Sequence, residues 1–169
     1  MEIEMLKSTY LKTVLIFLIT YTFLQAQDKT DFAIKTTDNK EIKLSELYSK
    51  GPVLVNFWAL WCEPCKAEIK VLKNLYKKYQ DKGFTILGIN QDSPKSVSKV
   101  RAYISSQKIN FPTALDPNNK YLQKFNGQSI PYSLLIDKDG EIVYKSVGYL
   151  PGDEVKLENQ ILKLLSEVQ

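Results

Sequence analysis

Cys62 and Cys65 are the only cysteines in the chain, and they stand two residues apart in Trp61-Cys-Glu-Pro-Cys65. A thiol pair at that spacing can cycle between dithiol and disulfide, with a thiolate attacking a foreign disulfide and its neighbour releasing the product. The chain holds no histidine, which excludes a Cys-His pair, an imidazole-based serine triad and every histidine-containing metal site. Two cysteines cannot build a four-cysteine zinc site, and they are too few for a disulfide-dense mini-domain. A static staple over so small a loop would gain little chain entropy, so redox exchange is the more productive use of the pair. Half of an intermolecular metal site is the remaining structural alternative.

The surrounding residues predict where that pair sits. Gly51-Pro52 punctuates the chain before Val53 to Trp58, an almost unbroken apolar run of strand length. From Cys62 the spacing turns helical, with Ile69, Leu72, Leu75, Tyr76 and Tyr79 on one side, until Lys82-Gly83 ends it. Phe84 to Asn90 then reads as a second buried strand, parallel to the first. The dithiol therefore belongs at a helix N-terminus, where unpaired N–H groups and the partial positive charge favour thiolate over thiol. Cys62 is expected to be the exposed attacker and Cys65 the resolving thiol. Pro64 lies in the first helical turn, where its missing N–H costs little. Cys65, Glu68, Leu72, Leu75 and Tyr79 trace one stripe, so Glu68 is either a solvated helical residue or a carboxylate that tunes Cys65. Glu63, between the cysteines, is expected to be exposed.

Before this unit, Phe32 and Ile34, the Asp38-Asn39 turn, and Ile42 and Leu44 suggest a small hairpin, followed by a helical turn at Ser45 to Tyr48. After it, Ser93-Pro94 reads as a serine-capped helix start, with Val97, Val100 and Ile104 as the stripe. Phe111-Pro112 and Asp116-Pro117 read as irregular chain, and Tyr121, Leu122 and Phe125 as a short helix. Tyr132 to Ile136 and Ile142 to Val147 form an antiparallel hairpin about Asp137 to Gly140. Asp153 caps a last helix that carries Leu157, Ile161, Leu164, Leu165 and Val168 inward. The expected fold class is α/β: a mixed sheet flanked by helices, with an N-terminal β-hairpin.

Behind Lys12, the apolar run Thr13 to Leu24 and the small Ala26 read as a secretory signal. Residues 1–26 are thus expected to be a signal peptide cut after Ala26, or an uncleaved signal anchor, and residues 27–169 one domain. No cysteine lies near the cut, which argues against a lipid anchor. Both cysteines would be exported to a compartment where disulfides persist. The net charge of +4 is spread along the chain without a clustered basic face, so no nucleic-acid partner is expected.

The segment Asn56-Phe-Trp-Ala-Leu-Trp-Cys-Glu-Pro-Cys-Lys66 resembles the active-site segment of the thioredoxin superfamily, and most closely its TlpA/ResA-like extracytoplasmic thiol–disulfide oxidoreductases. The likeness runs from about Asp31 to the end, through the entry strand, Ile130-Pro131 and Gly148. It implies a thioredoxin-like sheet with a helical insertion, Asp92 to about Asn126, before the strand led by a cis-proline, Pro131. It further implies that Ile130 leaves its backbone free to pair with a client, beside a docking surface of Trp61, Glu63 and Pro64. A proline merely opening an edge strand is the plain alternative for Pro131. Asn56 stands where cytosolic thioredoxins carry a buried aspartate, so that aspartate's role does not transfer, whereas Glu68 matches an acidic position of the extracytoplasmic branch. The implied activity is reduction of envelope proteins, cytochrome c maturation among the pathways, by a monomer without cofactor or metal that a membrane electron donor re-reduces. A peroxiredoxin-type peroxidase and a copper-binding assembly factor using cysteines alone are the rival functions.

Overall fold

The computed structural model describes residues 30–167. The expected signal segment, residues 1–26, and Val168 of the last helix lie outside the described residues. Seven strands and five α-helices follow one another among the described residues. They run β1 (Ala33–Lys35), β2 (Glu41–Lys43), α1 (Leu44–Tyr48), β3 (Val53–Trp58), α2 (Glu63–Tyr79), β4 (Thr85–Asn90), α3 (Val97–Ser106), β5 (Thr113–Leu115), α4 (Lys120–Lys124), β6 (Tyr132–Ile136), β7 (Ile142–Val147) and α5 (Asp153–Glu167).

Strands β1 and β2 make the small hairpin, and the other five form one sheet in the order β5-β4-β3-β6-β7. Strand β3 is central, parallel to β4 and antiparallel to β6, and β7 extends the sheet as an antiparallel edge. Because side chains alternate along a strand, β3 sends Leu54 and Trp58 into one apolar layer and Val53, Val55 and Phe57 into the other. Helices α2 and α5 close the first layer through Ile69, Leu72, Leu75, Leu157 and Ile161. Each fully buried aliphatic side chain there contributes on the order of 1.5–3 kcal/mol. At its far end α2 is held to α5 by Glu158, which accepts from the Tyr79 hydroxyl at 2.6 Å and pairs with Lys78 at 2.7 Å.

Three details differ from the sequence-based expectation. Asp153 is the first residue of α5 and not its cap, and its Oδ2 accepts the preceding Leu150 N–H at 2.8 Å. Ser93 makes no side-chain cap bond; Pro94–Ser96 form a 3₁₀ turn, and α3 begins after it at Val97. The chain between the two Pro-containing turns is not irregular throughout, because Thr113–Leu115 pairs with β4 as a fifth sheet strand. Three residues are too short a run for alternation to register. Their pairing depends on β4 and on the hairpin, whose Thr37 N–H donates to Thr113 O at 2.7 Å. The insertion thus carries a strand as well as helices.

The turn leading into β3 tolerates only glycine. Gly51 has φ +150°, and a Cβ there would lie 2.5 Å from the carbonyl oxygen of Gly83, in the turn that ends the α2 segment. Gly51→Ala is therefore expected to lower stability by at least about 1–3 kcal/mol, read as a reduced denaturation midpoint, while the thiol activity per folded molecule is retained.

Candidate active site

Cys62 is the N-cap of α2, and its Sγ accepts the Cys65 N–H at 3.2 Å. A sulfur in that position receives both a backbone donor and the positive end of a helix dipole, which stabilises a thiolate whenever the pair is reduced. Here the two cysteines are joined as a disulfide. Pro64 lies in the first turn as expected. Cys62 is less open than an exposed attacker would be: it is 5% exposed against 0% for Cys65, whereas Trp61 beside it is 69% exposed. Capping its own helix draws the Cys62 sulfur inward, so the order of accessibility holds while the degree does not. Glu63 is exposed and ion-paired with Lys66 at 2.7 Å.

The loop that delivers the pair is pinned by a residue the sequence did not single out. Asp92, just beyond β4 and buried, accepts the Leu60 N–H at 2.7 Å and the Asn90 amide at 2.9 Å. Gln91 N–H adds a bond to Trp58 O at 2.8 Å. Because β3 and β4 run parallel, their C-terminal ends meet at this point, and the second clamps the exit of the first.

Pro131 comes to the same end of the sheet. Tyr132 pairs with Phe57 in the β3–β6 register, so the preceding Ile130–Pro131 bond, which is cis, lies level with the end of β3. Pro131 O accepts the Gly148 N–H at 2.8 Å, and Ile130 packs on the core cluster that contains both cysteines.

Glu68 is only 4% exposed. Asn56 and Ser133 are paired in register across β3 and β6 on the face turned to α2. Asn56 Nδ2 donates to Glu68 Oε2 at 2.8 Å, and Ser133 Oγ donates to Glu68 Oε1 at 2.9 Å. Burial pushes the carboxyl from its ordinary value near 4.5 up to about 7; the two hydrogen bonds oppose that rise and the charge of Asp153 adds to it. A cavity of about 10 Å³ flanks Glu68, lined on its other side by Ser146, Tyr149, Asp153 and Glu154. Glu68 is thus no solvated helical residue. Ser133 is a neighbour of Glu68 that the sequence reading misses; its signal is a lone serine inside the run Tyr132 to Ile136.

A model of the AhpC/TSA family matches residues 26–145. A thiol-disulfide oxidoreductase ResA of Bacillus cereus is 34% identical over 122 residues, covering 72% of this chain and 69% of that protein. ResA of Bacillus subtilis (strain 168) is 34% identical over 119 residues, 70% of this chain and 65% of its own. Among solved structures, a putative thiol:disulfide interchange protein DsbE from Chlorobium tepidum superposes with a TM-score of 0.73 at 30% identity, covering 80% of this chain and 93% of that one. A putative protein disulfide isomerase from Bacteroides thetaiotaomicron gives 0.71 at 32%, with coverages of 80% and 86%. These similarities and the paired cysteines agree with the thioredoxin-like arrangement of sheet and helices.

A carboxyl that binds its proton more tightly in the fold than in the unfolded chain stabilises the fold at low pH. That contribution is whole below about pH 4.5 and is lost as pH rises through about 7. On the scale of about 1.4 kcal/mol per pH unit the loss is roughly 3 kcal/mol. Glu68→Gln keeps the shape and removes the titration. Denaturant unfolding at several pH values should find the variant more stable than the parent near pH 8, with the difference vanishing toward pH 4. A difference independent of pH would contradict the desolvated carboxyl.

Proposed function

Because the chain belongs to the AhpC/TSA family and is a thiol–disulfide oxidoreductase, we propose that it works outside the cytoplasm as a reductant of disulfide-bearing envelope proteins. In the reduced enzyme the Cys62 thiolate attacks one sulfur of a client disulfide. A Cys62–client bond forms, and the client's other sulfur leaves as a thiolate. Cys65 then gives its proton to Glu68 and attacks Cys62. The Cys62–Cys65 disulfide forms and the client's second thiolate departs. The client gains two electrons, the enzyme loses two, and a membrane electron donor returns them.

The observation that carries this reading is the placement of a near-neutral buried carboxyl one helical turn beyond Cys65. A base with a proton affinity near neutral suits a thiol that must be deprotonated in one half of the cycle and protonated in the other. Exposed Trp61, Glu63 and Pro64, with half-buried Ile130, form the surface on which the client chain docks, and the buried cis-proline Pro131 backs it. The run Thr13 to Leu24 supports export or an N-terminal anchor. Among the described residues no helix is long and apolar enough to cross a membrane. Proteins of the cytochrome c maturation pathway are the client class that the family resemblance favours. The AhpC/TSA match alone would also accommodate a single-cysteine peroxidase, and the closure of Cys62 onto Cys65 within one helical turn favours the dithiol route.

Cys65→Ser should accumulate client-linked mixed disulfides recoverable under non-reducing conditions, while insulin-disulfide reduction falls more than about a hundredfold. Cys62→Ser should lose turnover and trapping together. Trapping by Cys62→Ser and not by Cys65→Ser would reverse the two roles. Peroxide turnover at rates above disulfide reduction would replace the function. Cell fractionation tests the location: soluble full-length protein in the cytoplasm would contradict export.

A further inference from the structure

The bonds around Glu68 suit a carboxylate and do not suit a carboxylic acid. Asn56 Nδ2 donates both to Glu68 Oε2 at 2.8 Å and to Ser133 Oγ at 2.9 Å, and the Ser133 hydroxyl donates to Glu68 Oε1. Both carboxyl oxygens therefore face donors. Once Glu68 holds a proton, its O–H requires an acceptor. Asn56 Oδ1 is a buried acceptor that receives no hydrogen bond among the described residues. It belongs to the same amide that touches Glu68, and a half-turn about the Cβ–Cγ bond exchanges it with Nδ2. The two ends of an amide are of nearly equal size; the exchange carries Nδ2 to the position that Oδ1 leaves and ends the bond that Nδ2 gives to Ser133 Oγ.

We propose that Asn56 is a positioning residue serving Glu68 in both protonation states, presenting Nδ2 to the carboxylate and, after a half-turn of its amide, Oδ1 to the carboxylic acid. This rests on the proton-transfer role of Glu68 given above and extends it. When Cys65 gives up its proton, the proton goes to Glu68 Oε2, the amide turns, and Oε2–H donates to Asn56 Oδ1. The Ser133 hydroxyl keeps Glu68 Oε1 as its acceptor throughout. Release of the proton reverses the turn, and no other reactant is involved.

The neighbours on the remaining sides make Asn56 the group able to respond. On its own helix Glu68 has Cys65. From β7 and the following loop it shares its flanking cavity with Tyr144 and Tyr149, and from α5 with Asp153 and Glu154. Tyr149 is already committed as a donor to Glu154 at 2.9 Å. Asp153 acts on Glu68 through its charge. On the sheet side neither Asn56 nor Ser133 titrates; the Ser133 hydroxyl already accepts from Asn56 Nδ2 and donates to Glu68 Oε1, so the acceptor left without a partner there is Asn56 Oδ1.

Isotope-labelled, full-length protein with its disulfide intact offers the test, because the cysteines then do not titrate. Across about pH 5 to 9 the Glu68 side-chain carboxyl carbon should titrate. With the same midpoint, the Asn56 side-chain NH₂ protons should lose their nuclear Overhauser contacts to the Ser133 β-protons as pH falls. Contacts that persist while Glu68 titrates would make Asn56 a fixed donor and overturn the proposal. A Glu68 carboxyl that does not titrate in this range would instead remove the acid–base role, and the inference with it. Asn56→Asp keeps the acceptor and removes the donor, so the facing carboxyls share a proton and its release should move up by at least about one pH unit. An unchanged midpoint in a variant with an otherwise unaltered spectrum would also overturn the proposal.

Discussion

One carboxyl group inside the apolar layer between sheet and helix sets the terms for the site. A carboxylate deprived of water is costly unless hydrogen-bonded, and deletion of one partner leaves the full penalty of an unsatisfied buried group. Glu68 meets that requirement through two residues on different strands, Asn56 and Ser133, which face each other in the β3–β6 pairing. A slip of β6 by one residue would turn Ser133 to the opposite face and leave Asn56 facing Tyr132 or Leu134. The chemistry of α2 therefore depends on strand pairing that closes between residues far apart in sequence.

A second requirement is that the helix start be fixed relative to that pairing. The apolar stripe Ile69, Leu72, Leu75 and Tyr79 holds α2 against the sheet, and the Glu158 clamp secures its far end. Its near end hangs on the short segment Ala59 to Trp61, where backbone groups have no strand partner of their own. Asp92 supplies the missing acceptor for Leu60 N–H. Buried acidic side chains thus serve the site twice, in different capacities. Asp92 holds backbone in place, and Glu68 faces side chains whose donors it can share with a moving proton. Glu68 faces side chains alone, a hydroxyl and an amide that can donate or accept, whereas Asp92 also holds the Leu60 N–H, which can only donate.

What was legible in the sequence is what is local. The Cys62–Cys65 spacing, the strand before it and the helical stripe after it lie within a few turns of chain, and each showed in side-chain periodicity. The stripe already placed Glu68 beside apolar positions, but whether it was solvated depended on what lay across from it. Ser133 and Asp92 are ordinary residue types whose meaning comes from register and from the parallel β3–β4 pairing. Strand β5 had too few residues to show a period, and it exists because β4 offers one edge and the hairpin covers the other. Ser93 illustrates the reverse case, a strong local helix-start signal absorbed by a 3₁₀ turn.

Burial of Glu68 also bears on the energetics of the dithiol. Reduction of the disulfide adds two thiol groups, and Cys62 at the helix start is the one best able to lose its proton. Negative charge appearing there raises the cost of a second negative charge on the same apolar face. In the proposed cycle a Cys62 thiolate therefore opposes ionisation of Glu68, which the disulfide does not. By linkage, the proton on Glu68 favours the thiolate as strongly as the thiolate favours that proton. A solvated glutamate would lose this reciprocity to screening, because charges in water interact by only about 1 kcal/mol even at about 4 Å. The apolar layer is what joins proton affinity to electron affinity, and it is the same layer that holds the helix on the sheet.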